Sequence, residues 1–315
     1  MGIRVSVICT TYNQKNYIKK CLESLVSQNT SFEYEILVHD DASTDGTRSI
    51  VEDFEKRYPK IRAFYEEENQ HSKRIKFRPK LIAESRGDYL AFCEGDDYWA
   101  DPNKLQKQFD ALESNPSCSI STHRVRRVRS DGTETDSIIE QNFFKAGVIN
   151  GHDYLKTYLD CHPELLLQTS SFFVRKKVYV ARPAALRGFN VGDVPMMIWA
   201  TYNGDMYYFE DIMSCYRMFA SGSTSVSMRK NTYALKRTIA NVNGFLAFND
   251  LSHSEFWDAM KHRVSYEIVQ SYYGTKGECF KDKFNEAKKE LSLKEIITAK
   301  IKFSSIGEIL RRVIR

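Results

Sequence analysis

The sequence predicts an α/β fold: a mainly parallel sheet flanked by helices, with a helical C-terminal region. Three observations carry this. Runs of β-branched residues alternate with helical periodicities along the N-terminal part of the chain, acid-rich polar loops follow the strand-like runs, and strand patterns fade after about residue 230. A chain of 315 residues with 42% hydrophobic residues, 15 Gly and 7 Pro can bury a sizeable core, which excludes disordered and low-complexity classes.

Residues 3–9 (IRVSVIC) form a β-branched run, followed by the polar turn TTYNQ and a helix on which Ile18, Leu22, Leu25 and Val26 recur at three- to four-residue steps. The unit then repeats. EYEILVH at 33–39 is a strand and DDASTDGT a loop. Residues 47–58 are a helix with Ile50, Val51 and Phe54 on one face, ended by Pro59. A third strand at 61–65, a helix at 78–86 and a strand at 88–93 follow. Alternation at this spacing implies parallel pairing, with the ligand crevice beyond the carboxyl ends of the strands. Residues 117–128 read as a longer strand, 131–150 as a loop-rich hairpin or excursion and 151–160 as a helix. Residues 165–174 read as a strand, 193–203 as a helix and 206–219 as two short strands. The expected division is 1–225 as an α/β body and 226–315 as a helical region packed on it.

Charge is nearly balanced, 46 Lys and Arg against 41 Asp and Glu, so field strength does not mark a nucleic-acid binder. The basic residues of HRVRRVR alternate along a strand and form no coherent patch with aromatic interleaving. The seven cysteines are widely spaced, without a CxxC pair or zinc-ligand spacing, and read as reduced, buried thiols. No apolar stretch is long enough to span a bilayer, and the chain enters its first strand without a signal peptide; the expected location is cytoplasmic.

EGDDYW at 94–99 places several carboxylates at one strand end, where they repel unless a cation neutralises them. A hard divalent ion such as Mn²⁺ or Mg²⁺, which keeps positions free for phosphate oxygens, suits such a site. The competing role, capping the helix that starts near Pro102, is better filled by Asp101. Asp45 and Gly46 read as a turn, with Thr44 or Asp45 capping the next helix.

VSVICTTYNQ, ILVHDDASTDGT and GDYLAFCEGDDYW together resemble the family 2 glycosyltransferases, whose usual blocks are VSVIIPTYN, VVDDGSTDGT and DYIAFLDADD. The likeness covers about 100 contiguous residues, with three motifs in family order. It implies a Rossmann-like GT-A fold and an inverting, metal-dependent transferase of the hexosyltransferase class, moving a sugar from a UDP-sugar to a saccharide acceptor. In the family's DxD motif, Asp96 is the implied metal ligand, with Glu94 on the first position and Asp97 nearby. The resemblance also implies that one of Asp40 and Asp41 reads the base, accepting the imide N–H of uracil, and that Thr10, Thr11 and Tyr12 line the same pocket. Arg78 occupies the family's diphosphate-binding arginine position, though the Asn that follows it in the family is Pro79 here. Lys73, Arg74 and Lys76 nearby read as a solvated face.

The implied catalytic base is Asp193, a carboxylate at the start of a helix that would take the acceptor hydroxyl's proton. Its plain alternative is an N-cap. Asp205, Glu210 and Asp211 are the fallback candidates, and Gln168, Thr169 and Ser170 are candidates for sugar hydroxyls. Phe219 stands where many relatives carry a metal-approaching His. The implied setting is assembly of a bacterial surface polysaccharide on a lipid-linked acceptor. The basic, amphipathic segment 294–315 would lie on an anionic inner membrane surface or dock on the core. A non-catalytic sugar-nucleotide or glycan-binding module is the competing class. A nucleotidyltransferase would want a glycine-rich phosphate loop, which TTYNQKN does not supply.

Overall fold

The structure is a computed structural model. It describes residues 2–73, 75, 77–140, 144–160, 168–189, 192–218, 220 and 231–302. Arg74, Lys76, Cys161, residues 165–167, Phe219 and the tail segment 303–315 lie outside the described residues.

The first body holds the sheet. Strands β1 (Ile3–Thr11), β2 (Glu33–Asp40), β3 (Ile61–Tyr65) and β4 (Tyr89–Glu94) alternate with helices α1 (Ile18–Val26), α2 (Thr47–Arg57) and α3 (Arg78–Glu84). Their pairing is parallel, in the order β3-β2-β1-β4. Val5, Val7, Cys9, Ile36, Val38, Ala91 and Cys93 are buried, and Ile18, Cys21, Leu22 and Leu25 of α1 join the same core. Burial of each large aliphatic side chain contributes about 1.5–3 kcal/mol, so α1 is held by its apolar stripe. Gly87 leads into β4 because a Cβ there would stand 2.6 Å from the Ser6 nitrogen of β1.

The sheet continues through β5 (Tyr98–Trp99), α4 (Lys104–Ser114), β6 (Cys118–Val128), β7 (Glu134–Ile139) and β8 (Gly147–Ile149). Helix α5 (Gly151–Leu159), strand β9 (Phe173–Arg175), α6 (Lys176–Val180), α7 (Asp193–Tyr202) and strand β10 (Asp205–Arg217) follow. The full order is β3-β2-β1-β4-β9-β6-β10-β5. β9 is antiparallel to both β4 and β6, whereas β10 runs parallel to β6.

Two elements differ from expectation. In place of a strand over 165–174, the described residues hold a 3₁₀ turn at Thr169–Ser171 and the three-residue β9. In place of two short strands, β10 is one strand of 13 residues whose pairing with β6 shifts register between Phe209 and Ile212. The acidic pair Glu210–Asp211 sits at that irregularity, which interrupts the apolar pattern without ending the strand.

The chain forms two compact units. One comprises 1–151, 165–181 and 200–226; the other comprises 152–164, 182–199 and 227–315. Two excursions before the 225/226 boundary read from the sequence thus belong to the helical unit. That unit contains α8 (Asn231–Leu251), α9 (Trp257–Gly274), α10 (Phe284–Ala287) and α11 (Leu293–Lys302). Phe189 meets Phe245 edge to face at 5.1 Å, and the Arg263 guanidinium lies over Tyr158 and Phe245. The described part of the basic tail docks on α9: Ala299 is buried, Glu295 pairs with His262 at 3.0 Å, and Lys302 donates to Gln270. Leu293 and Ile297 of α11 remain exposed.

Candidate active site

The acidic turn after β4 is built against the TTYNQ turn after β1. Parallel register places Thr10 beside Glu94, and the Gly95 N–H donates to the Thr10 carbonyl at 2.9 Å. A Cβ at Gly95 would lie 2.5 Å from Gln14 Oε1 and 2.8 Å from Thr11 Oγ1, so only glycine lets the two turns approach this closely. Thr11 in turn donates to Gln14 Oε1 at 2.8 Å.

Asp96 and Asp97 are both buried. Burial pushes the Asp96 carboxyl up, opposed by a Gln14 side-chain hydrogen bond and the Arg217 charge. Asp97 is pushed well up by burial, then by the charges of Asp96 and Glu94; the Arg217 N–H and the Gln168 side chain oppose this. Arg217 N donates to Asp97 Oδ1 at 2.8 Å. Crowded, desolvated carboxylates are the condition a cation relieves. Among the described residues no three His, Cys, Asp or Glu side chains group as a ready metal cage. The set fits a hard divalent ion held by one or two carboxylates, with its shell completed by water and phosphate oxygens, rather than an all-protein site.

Arg78, at the first position of α3, reaches this turn: its Nη2 lies 3.5 Å from Glu94 Oε1. Phe77, just before it, stacks on His39 at 3.6 Å, and His39 Nε2 contacts Glu66 Oε1 at 3.3 Å. Burial lowers the pKa of His39, favouring the neutral ring. The helix start that carries the arginine is thereby fixed to β2.

Asp40 and Asp41 close the end of β2 and are both buried. Asp40 accepts the Ser43 hydroxyl and, at 3.3 Å, the Ser43 N–H; burial nevertheless raises its pKa. Asp41 accepts Gln70 N at 2.7 Å and His71 N at 3.0 Å, so it also ties down the loop after β3. Thr11 is buried, Thr10 half-buried, and Tyr12 is exposed at the crevice edge. Asp45 is a structural residue: Oδ1 accepts Thr47 N at 2.9 Å, and Gly46 ahead of α2 adopts φ +98°. Asn13, which the sequence did not single out, joins the turns after β1 and β2, accepting Thr44 N at 2.8 Å and donating its own N–H to Ser43 at 2.9 Å.

On the other flank, Gln168 is half-buried and hydrogen-bonds Asp97. Thr169 and Ser170 are buried, and Ser170 Oγ contacts Ser214 Oγ at 3.1 Å inside the sheet. Of the three polar residues read there, Gln168 is the one that meets the acidic turn. A cavity of about 470 Å³ beside Arg217 is lined by Asn16, Tyr17, Lys20 and the 130–132 turn.

Asp193 is the first residue of α7, half-buried, and its Oδ1 accepts Val194 N at 2.8 Å. The contact is to the N–H of the next residue and lies within the helical unit. The fallback acids are engaged elsewhere. Asp205 accepts Gly151 N at 3.1 Å, Asp211 pairs with Lys107 at 2.8 Å, and Glu210 faces Arg124 at 3.9 Å.

A mixed sheet flanked by helices, whose parallel half gathers an acidic turn, a hydroxyl-rich turn and an arginine at its carboxyl edge, is a fold of the GT-A type. The chain belongs to glycosyl transferase family 2, whose family profile matches residues 6–179. It is 38% identical over 130 residues to an uncharacterized protein of Mycobacterium tuberculosis, a match covering 41% of this chain and 37% of that protein's length. It is 23% identical over 300 residues to the GalNAc(5)-diNAcBac-PP-undecaprenol beta-1,3-glucosyltransferase of Campylobacter jejuni, covering 92% of this chain and 89% of that protein. Its fold is similar to the crystal structure of S. aureus TarS 1–349, with TM-score 0.55, 17% identity, and coverage of 99% of this chain and 92% of that one. TarS 1–349 has also been solved in complex with UDP-GlcNAc.

Proposed function

We propose that the chain is an inverting glycosyltransferase that moves a sugar from a UDP-sugar to a saccharide acceptor, with a divalent cation. The observation that carries this reading is the packing of the Glu94–Asp97 turn against Thr10–Gln14 and Arg78, which gathers desolvated carboxylates and a guanidinium at one sheet edge. Family membership, the UDP-GlcNAc-bound fold relative and the lipid-diphosphate acceptor in the Campylobacter relative's name support it.

In this reading Asp96, with Asp97 and Glu94 beside it, would hold Mn²⁺ or Mg²⁺. When bound, the ion supplies positive charge against the charge developing on the departing diphosphate. Arg78 binds a diphosphate oxygen, its planar fork matching two acceptors. Asp40 and Asp41, with Thr10, Thr11 and Tyr12, receive the nucleoside. Asp193 takes the proton from the acceptor hydroxyl as that oxygen attacks the anomeric carbon opposite the leaving UDP, which inverts the configuration. Residues 294–315 are proposed to touch an anionic membrane surface bearing the lipid-linked acceptor.

The test is incubation of the purified chain with Mn²⁺ and a panel of UDP-sugars. Release of UDP from one donor is expected. Saturable nucleotide binding without release would make the chain a non-catalytic module, and neither binding nor release would refute the reading.

A further inference from the structure

The acidic turn is held by one residue for which the sequence suggested no role, the arginine of the Tyr216–Arg217 pair. Arg217 is the last residue of β10, paired with Val128 at the end of β6, and is only 4% exposed. Its main-chain N–H donates to Asp97 Oδ1 at 2.8 Å, and its Nε donates to the Asp96 carbonyl at 2.9 Å. Nη1 donates to the carbonyls of Arg129 at 3.2 Å and Ser130 at 3.1 Å, and the guanidinium carbon lies 4.7 Å from the Tyr17 ring centre. One side chain therefore joins the acidic turn, the β6–β7 turn and the entry to α1.

A guanidinium whose hydrogen bonds go to neutral carbonyls in a buried place is costly to desolvate and is weak as a stability device. It is strong as a geometric one, because its rigid fork fixes three acceptors at once. The turn it fixes is where three carboxylates repel one another, so without a brace the carboxylates would splay in the absence of a cation. Groups behind metal-ligating carboxylates set their orientation, and losing such a partner typically lowers metal affinity 10–100-fold.

We propose that Arg217 is a positioning residue that pre-organises the Asp96–Asp97 turn for a divalent cation and diphosphate. This rests on the glycosyltransferase reading and adds to it a residue that touches neither substrate. In Arg217→Met the main-chain contact to Asp97 survives while the fork is lost. Arg217→Lys keeps the charge and loses the fork.

The experiment measures Mn²⁺ binding in the presence of UDP, by the paramagnetic resonance signal of free Mn²⁺, together with thermal unfolding with and without Mn²⁺ and UDP. Arg217→Met is expected to raise the Mn²⁺ dissociation constant about 10–100-fold, with Arg217→Lys in between. The nucleotide-plus-metal gain in melting temperature should shrink in the same order. A lowered melting temperature with an unchanged Mn²⁺ constant would show a purely structural role and overturn the proposal. Should Arg217→Met not fold, Arg217→Lys decides it on the same criterion. A wild-type chain that binds no Mn²⁺ with UDP would instead refute the glycosyltransferase reading itself.

Discussion

Replacing Gly95 by alanine tests how the two turns of the site are joined. The added Cβ would meet Gln14 Oε1 at 2.5 Å, Thr11 Oγ1 at 2.8 Å and Thr11 Cβ at 2.9 Å. Gln14 can swing its amide away, but Thr11 Cβ is fixed by β1, so the strand end must shift. Gly95 is not among the positive-φ glycines, so the cost is steric rather than conformational. Overpacking of this kind costs about 1–3 kcal/mol, which in a domain of this size lowers the melting temperature by roughly 2–12 °C. The amide that withdraws is the one hydrogen-bonding Asp96, so the carboxylate turn also loses a partner. Thermal unfolding and the Mn²⁺ concentration for half-maximal UDP release are the two assays. The expected result is a lower melting temperature and a higher Mn²⁺ requirement; adding Gln14→Ser should recover part of the melting temperature but not the Mn²⁺ requirement, since the Asp96 partner stays lost. Gly2→Ala, where nothing lies within 4 Å, should be silent. A Gly95→Ala chain matching wild type in both assays would refute the reasoning.

Lys104 is fully buried, donates to Gln108 Oε1 at 2.6 Å and lies 4.2 Å from the centre of the Trp99 ring, and burial pushes its pKa down to about 7. The unfolded chain holds that proton more tightly, so this group's contribution to stability rises with pH from about 7 to 10.5. Lys104→Met should therefore stabilise the protein at pH 7, by about 1–3 kcal/mol, with an advantage that shrinks toward pH 10; a pH-independent difference in urea unfolding would contradict this. Truncation after Lys302 should reduce co-sedimentation with phosphatidylglycerol vesicles while leaving UDP binding intact, and unchanged sedimentation would count against membrane contact by the tail.

Strands β1, β2 and β4 were legible because they are near-continuous apolar runs buried on both faces, each closed by a polar turn. The acidic turn and the turn at Asp45 were legible for the same local reason, whereas Arg78 was singled out only by the family resemblance. Other features depend on contacts that no local pattern encodes. Arg217 reaches the acidic turn only through the β6–β10 register, about 120 residues further along the chain from Asp97. Gln14 becomes important only because Gly95 has no side chain to exclude it. Strand β10 reads as two strands because Glu210 and Asp211 fall at its register shift. The excursions 152–164 and 182–199 carry no change in composition that marks them for the helical unit.

The division of labour between Asp96 and Asp193 is the central claim, and calorimetric titration of UDP with Mn²⁺, run beside UDP release from the donor that wild type consumes, tests it most directly. Asp96→Ala should lose metal-dependent UDP binding. Asp193→Asn should bind UDP as wild type does while transfer falls about 10²–10⁴-fold, the range for loss of a general base. Wild-type turnover in Asp193→Asn, or wild-type metal-dependent binding in Asp96→Ala, would contradict the account.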